Sequence, residues 1–260
     1  MPGQWTLTGR EFAVLWKDMR EVLLPAPFTY LSDTKYLVDG ERRNHETREH
    51  LRKVDNYGLE DVFDIVARAD LRIILHAWDP QDPEDPEGHI RLHAVRRSHR
   101  TYLLEQLPGK TVRHSGGFTI TECSYLTVAE LMVARLPARP AGRYSDLALH
   151  SDAGLFEEAG RSQVRQPHED PSRIAAQQFT RAALELTGAV EIRQGLAPLG
   201  PKYRAHRGFW LRDLVDDGRY IVEPGRSRKA TGTDSSRVAD RIDSAVAEVI
   251  VAIKEQRSRA

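Results

Sequence analysis

The stretch "FWLRDLVDDGRYIV", residues 209–222, decides how this chain is read. It sets Asp216 and Asp217 side by side, with Arg219 and Tyr220 just beyond them. Two adjacent carboxylates can hold a metal or share acid–base work, or they can simply mark the bend of a hairpin. Asp217 and Gly218 stand between two apolar runs, and an Asp-Gly pair so flanked is a strong signal for a two-residue type I′ turn, because both central positions need positive φ. Asp216 then closes the strand beside the bend. No histidine or acid cluster joins the pair nearby, so the stretch is read as a hairpin and not as a site of bond-making.

Working outward, the 260 residues are 40% apolar and 29% charged, enough to bury a core in one large domain or two small, intimately packed ones. Thirty-eight basic residues balance thirty-eight acidic ones, so no overall field draws the chain to nucleic acid or to an anionic membrane. The single cysteine, Cys123, excludes an internal disulfide framework and a cysteine-built zinc site, and fits a reducing compartment. The start "MPGQWTLTGR" has no apolar run behind a basic head, and no later run has the length needed to cross a bilayer. A cytoplasmic location without membrane insertion is the expectation.

In the first half, "TGREFAVLW" carries a helix start, with Thr8 as cap, Glu11 completing a capping box, and Phe12, Leu15, Trp16 and Met19 on one face. "LLPAPF" stops it at Pro25 and Pro27. The charged segment "DGERRNHETREHLRKVDNYG" predicts an exposed helix, separated by Gly58 from the amphipathic "LEDVFDIVARAD". From Leu71 the period becomes two: "LRIILHAW", "GHIRLHAVRR", "RTYLLEQL" and "GGFTITEC" read as four antiparallel strands, followed by a helix over "SYLTVAELMVARLP" capped by Ser124. The link "DPQDPEDPEG" between the first two strands is expected to project into water as a semi-stiff, negative loop.

The second half repeats this order. After a loop-rich stretch holding "RPAGRYSD" and "RQPHEDPS", Asp170 and Pro171 open a helix through Ile174, Phe179, Ala182, Ala183 and Leu186 to Gly188. The strand "AVEIRQGL", the hairpin of "KYRAHRGFWLRDL" with "GRYIVEP", and a long helix from Ser235 follow; Val238, Ile242, Ala245, Val246, Val249 and Ile253 form its stripe. Helix, strand, hairpin and closing helix therefore occur twice. The predicted fold is α+β: antiparallel sheets with flanking helices, in two quasi-twofold related halves, residues 1–140 and 141–260, that bury their open sheet faces and edges against each other as one body.

Other candidate sites carry less. His89 and His93 in "HIRLH" would share a helix face, but their surroundings alternate as a strand and no glutamate completes a zinc-protease pattern; His45 and His50 lie five apart and do not share a face. No metal and no cofactor is expected. There is no P-loop, "PGRSRKATGT" has no dinucleotide-binding spacing, and no serine sits in a nucleophile elbow. Trp78, Trp210, Phe209 and Tyr203 fall on or beside strands, where they pack a core or line an exposed sheet face. A half-open sheet with a projecting acidic loop and an amphipathic terminal helix has the parts of a protein-binding surface.

The segments "LWKDMREVLLPAPF", "ADLRIILHAW", "HAVRRSHRTYLLEQLPG" ahead of "LPARPAG", and above all "FWLRDLVDDGRYIV" before the last helix make the chain resemble the EspG chaperones of actinobacterial type VII (ESX) secretion. The resemblance spans nearly the whole sequence; the charged segment 41–56 and the proline-acid loop are departures from it. It implies a non-catalytic cytosolic chaperone, a monomer or weak homodimer, that binds the apolar tip of PPE in a PE–PPE heterodimer. The partner-binding residues implied are Trp78, Asp82, Glu84, Asp85 and Glu87 in and before the loop, Phe209 and Trp210 on the hairpin, and Ala245 and Val249 on the last helix. Two rival readings stand beside it: an enzyme of unassigned class, which requires His93, His206 or Asp216 to converge in a closed pocket, and a regulatory homodimer using the same sheet and helix.

Overall fold

The Thr8 capping box forms: its hydroxyl accepts from the Glu11 amide and the Glu11 carboxylate accepts from the Thr8 amide. The computed structural model describes residues 3–19, 23–53, 58–149, 171–195, 204–225 and 228–259. Along the first half run β1 (Gln4–Leu7), α1 (Gly9–Asp18), α2 (Leu37–Lys53), α3 (Leu59–Ala67), β2 (Leu71–Trp78), β3 (Ile90–Arg97), β4 (Arg100–Pro108), β5 (Ser115–Cys123) and α4 (Val128–Val133). The second half has β6 (Leu147–Leu149), α5 (Pro171–Arg181), β7 (Leu184–Gln194), β8 (His206–Leu214), β9 (Gly218–Val222), β10 (Arg228–Gly232) and α6 (Ser235–Arg259).

All ten strands join one antiparallel sheet in the order β1-β5-β4-β3-β2-β7-β8-β9-β10-β6. The order reads alike from either end. Each half lays a central strand, meanders outward, and sets its own first short strand on the rim. The halves meet edge to edge through β2 and β7, paired from Leu71↔Gln194 to Trp78↔Thr187, instead of face to face as a two-layer sandwich. Edge pairing satisfies a full row of backbone groups and leaves both sheet faces for helices to cover.

One face packs on α4 and α6: Ile73, Leu75, Leu92, Val190, Phe209 and Leu211 meet Met132, Val238, Ile242, Ala245 and Val249. Val238, Ile242, Ala245 and Val249 are fully buried, and each Val or Ile of that stripe contributes about 1.5–3 kcal/mol. The other face is covered in two separate places. α1 and α3 seal Tyr102, Leu104, Phe118 and Ile120 beneath Phe12 and Phe63, while α5 lays Ala176 and Phe179 on Tyr220, Val222 and Ala230. α2 has no buried residue and leans on α1 through polar contacts such as Arg10 to Asn44 (2.9 Å) and Arg48 to Asp18 (3.0 Å).

Several local expectations change. The helix after Ser124 is only Val128–Val133; the Ser124 hydroxyl accepts instead from the Leu126 amide and closes a turn. Gly188 does not stop a helix: α5 ends at Arg181 and β7 runs through Gly188, where an added Cβ would lie 2.6 Å from that of Ala77 on the paired strand. Asp234 caps α6 by accepting from the Arg237 amide (3.0 Å). The Asp170 cap and Tyr203 lie outside the described residues. β1, β6 and β10, of four, three and five residues, are too short to show a period.

The hairpin exists, but with a different bend. Leu214 pairs with Gly218, so Val215, Asp216 and Asp217 form a three-residue turn with Asp216 at φ 58°. The carboxylates of this stretch staple the backbone. Asp213 and Arg219 form a two-bond pair at 2.8 and 2.7 Å, their side chains 1% and 0% exposed, and Arg219 also donates to the Pro137 carbonyl at 2.8 Å. Asp217 accepts from the Tyr220 hydroxyl (2.7 Å) and the Arg143 amide (3.0 Å), fastening the segment ahead of β6 to the bend. Breaking a buried pair strands a charge in low dielectric, so Asp213→Asn is expected to cost about 3–5 kcal/mol in urea unfolding. The double change Asp213→Leu with Arg219→Met, which removes both charges, is expected to cost much less.

Candidate functional site

Strand alternation and the two separate covers together leave a strip of sheet between them. Its floor follows from register: across one row stand Arg91, His76, Ala189 and Trp210, and across the next Trp78, Thr187 and Arg212. Ile74 with Glu191, and Arg72 with Arg193, continue it toward the other end of β2. Strands lie about 4.8 Å apart, so Trp210, two strands from His76, sits ~10 Å from it on the same face. Trp210 is 39% exposed, and the Arg228 guanidinium lies over its ring at 5.5 Å. His93 leaves the strip: it is fully buried beside Phe28, with its Nδ1 donating to the Ala26 carbonyl.

At the Trp78 end the acidic loop is anchored, and does not simply project. Arg91 Nη2 approaches His89 Nδ1 at 3.3 Å; an arginine can only donate, so Nδ1 accepts and the His89 proton sits on Nε2, facing the Pro83 carbonyl at 2.9 Å. His76 Nε2 is 3.2 Å from the same Nδ1, and the His89 ring is stacked with Trp78, 6.3 Å between centroids and 12° between planes. Gln81 adds a bond to the Leu184 carbonyl at 2.9 Å. Within the loop, Asp79 and Asp85 accept from the amides of Gln81 and Glu87, which makes them turn caps. Asp82, Glu84 and Glu87 are exposed and Asp85 is half-buried.

Of the residues assigned from sequence, the fold thus gathers Trp78, Trp210, Asp82, Glu84, Asp85 and Glu87 along one strip and at its end. It separates the others. Phe209 is adjacent to Trp210 in sequence and therefore points to the opposite face, where it is 2% exposed; Ala245 and Val249 are fully buried under the same α6. These three can back the sheet but cannot touch a partner. Sequence reasoning passed over the polar residues that alternate with the core residues of β2, β3, β7 and β8, namely Arg72, His76, Arg91, Glu191, Arg193 and Arg212. The legible signal was that very alternation, polar on every second position of strands whose other side is buried.

His93, His206 and Asp216 do not converge. His93 lies three strands from His206, and Asp216 stands beyond the opposite end of β8. Among the described residues, no three histidine, cysteine, aspartate or glutamate side chains come together to hold a metal ion. No helix among the described residues is long and apolar enough to cross a membrane.

A family model for the EspG family matches residues 8–244. Among solved structures, the chain is similar to the Mycobacterium tuberculosis type VII secretion system chaperone EspG5, solved in complex with a PE25-PPE41 dimer. The TM-score is 0.58 at 13% identity, over 96% of this chain and 97% of that one. At that identity the likeness is one of fold. No curated protein matches the sequence.

Burial, with Arg91 and His89 close by, lowers the His76 pKa from 6.5 to about 4, and burial together with Arg72 lowers that of His93 to about 3. Both imidazoles are neutral in the fold. Between pH 6.5 and about 4 the unfolded chain binds more protons than the folded one, so stability is full above 6.5 and falls as pH drops through that window. Urea midpoints measured from pH 7 to pH 4 are expected to follow this fall. His93→Asn, which keeps a donor for the Ala26 carbonyl without a titrating ring, is expected to reduce the fall to the part carried by His76.

Proposed function

Because the chain belongs to the EspG family, we propose that it is a cytosolic, non-catalytic chaperone of type VII secretion that binds the apolar tip of PPE in a PE–PPE heterodimer. Binding keeps the heterodimer soluble and addresses it for export. The observation that carries this reading is the open strip between the covers of α1/α3 and α5, with Trp210 exposed on its floor and Trp78 at its looped end. An aromatic side chain on a rigid, paired strand loses little conformational freedom on binding and covers much apolar area, which suits it to anchor a partner's exposed tip. The solved complex of EspG5 with PE25-PPE41 supports the choice of partner.

On this reading residues 1–140 and 141–260 are related halves of a single domain, and the strip lies across the seam between them. Trp78, Trp210 and the loop carboxylates Asp82, Glu84, Asp85 and Glu87 are the residues that meet the partner. The loop sets charge around an apolar contact, a placement that steers encounter more than it holds a complex.

Co-expression with the PE–PPE pairs of its own genome is expected to raise their solubility and to yield a ternary complex on size-exclusion chromatography; if no pair shifts its elution, the proposal falls. Trp210→Asp is expected to weaken that complex by about 2 kcal/mol or more, roughly thirtyfold in Kd, with the melting temperature nearly unchanged. Converting Asp82, Glu84, Asp85 and Glu87 to their amides is expected to change the association rate and its salt dependence while leaving thermal stability as it was. A large drop in melting temperature would contradict that role for the loop.

A further inference from the structure

Many surface cations of this neutral chain are paired and others stand free in water, but the strip gathers several arginines, some of them part-buried, on one face without a partner acid. Arg48 meets Asp18, Arg97 meets Asp64, Arg135 meets Glu105, Arg207 meets Glu248 and Arg241 meets Glu223. By contrast, among the described residues no carboxylate lies within ion-pair distance of Arg91, Arg193, Arg212 or Arg228. Arg91 is 6% exposed, yet its Nε has no partner and its only bond is to a histidine ring. The Arg193 Nε is likewise buried without a partner. Arg212 and Arg228 lie over the rings of Phe179 and Trp210 at 5.9 and 5.5 Å. The one carboxylate in the row, Glu191, is exposed and makes no ion pair, and the loop acids Asp79 and Asp85 are engaged by their own backbone turns.

Holding the part-buried guanidinium groups of Arg193 and Arg212 with no counter-charge is unfavourable, and a carboxylate arriving from outside would relieve it with charge-assisted bonds. We infer that the strip takes an acidic polypeptide segment, one that sets glutamate or aspartate side chains beside an apolar anchor, with the carboxylates on Arg193, Arg212 and Arg228 and the anchor on Trp210. A polyanionic nucleic-acid backbone fits less well. The strip ends in the exposed acids Asp82, Glu84 and Glu87, the chain as a whole is neutral, and its cations are grouped around tryptophan instead of forming a continuous track. The same arrangement gives a basic floor with an acidic rim, so a partner with acids at its tip and bases behind it is favoured over one with the reverse order.

This inference rests on the strip being the docking surface, but its test does not use a PE–PPE pair. A fluorescent nine-residue peptide alternating glutamate with leucine, its glutamine counterpart, and a thymidine decamer are titrated by anisotropy against the full chain. The glutamate peptide is expected to bind at least tenfold tighter than the glutamine one, and to weaken as salt rises. Arg193→Gln with Arg228→Gln is expected to abolish that preference, the exposed single change Arg228→Gln to reduce it, and Arg52→Gln on α2 to leave it intact; circular dichroism verifies the fold of each. Equal binding of the two peptides, tighter binding of the decamer, or a preference that survives in the double variant overturns the inference. A chain that binds the glutamate peptide but no heterodimer would retain it and refute the choice of PE–PPE.

Discussion

The antiparallel pairing of β2 with β7 is the constraint on which the rest depends. It runs the full length of β2, joins two five-stranded halves into one sheet, and sets the register that every other strand inherits outward. Gly188 shows how tight the seam is, since an added Cβ there would collide with that of Ala77. A slip of one residue along this seam would turn the Leu75 and Val190 side out and the His76 and Ala189 side in. The large apolar cluster beneath α4 and α6 makes that slip prohibitive.

With register held, division of labour between the two faces follows. The α6 face is sealed by one long helix whose stripe spans both halves, so the seam is reinforced from behind. On the other face each half brings its own smaller cover, α1 with α3 or α5, and neither reaches the centre. The open strip is thus a consequence of joining two units, each with its own cap, at their edges. Either unit alone would present only half of it.

The hairpin at 209–222 ties these themes together. Its aspartates secure the chain: Asp213 neutralises Arg219 inside the core and Asp217 binds Tyr220 and Arg143. Burial and the bond to Asp217 raise the Tyr220 pKa to about 12, which keeps the hydroxyl a donor at any ordinary pH. Carboxylates so engaged have no lone capacity for chemistry, whereas Arg212 of the same hairpin and Arg228 of the neighbouring β10 stand without a counter-charge.

The sequence by itself determined most of the elements and their class. The Thr8 capping box, the period-two runs at 71–78, 90–97, 100–107 and 116–123, and the stripe from Val238 to Ile253 each state a local geometry that packing only had to accept. What only the tertiary structure decided was which side of each strand faces what. Phe209 and Trp210 are neighbours in sequence with similar chemistry, and the fold alone sends one beneath α6 and the other toward solvent. Likewise nothing local shows that Arg91 and Arg193, about a hundred residues apart, face one strip. Period-two alternation defines two sides of a strand, but which side is covered depends on helices that arrive from distant parts of the chain.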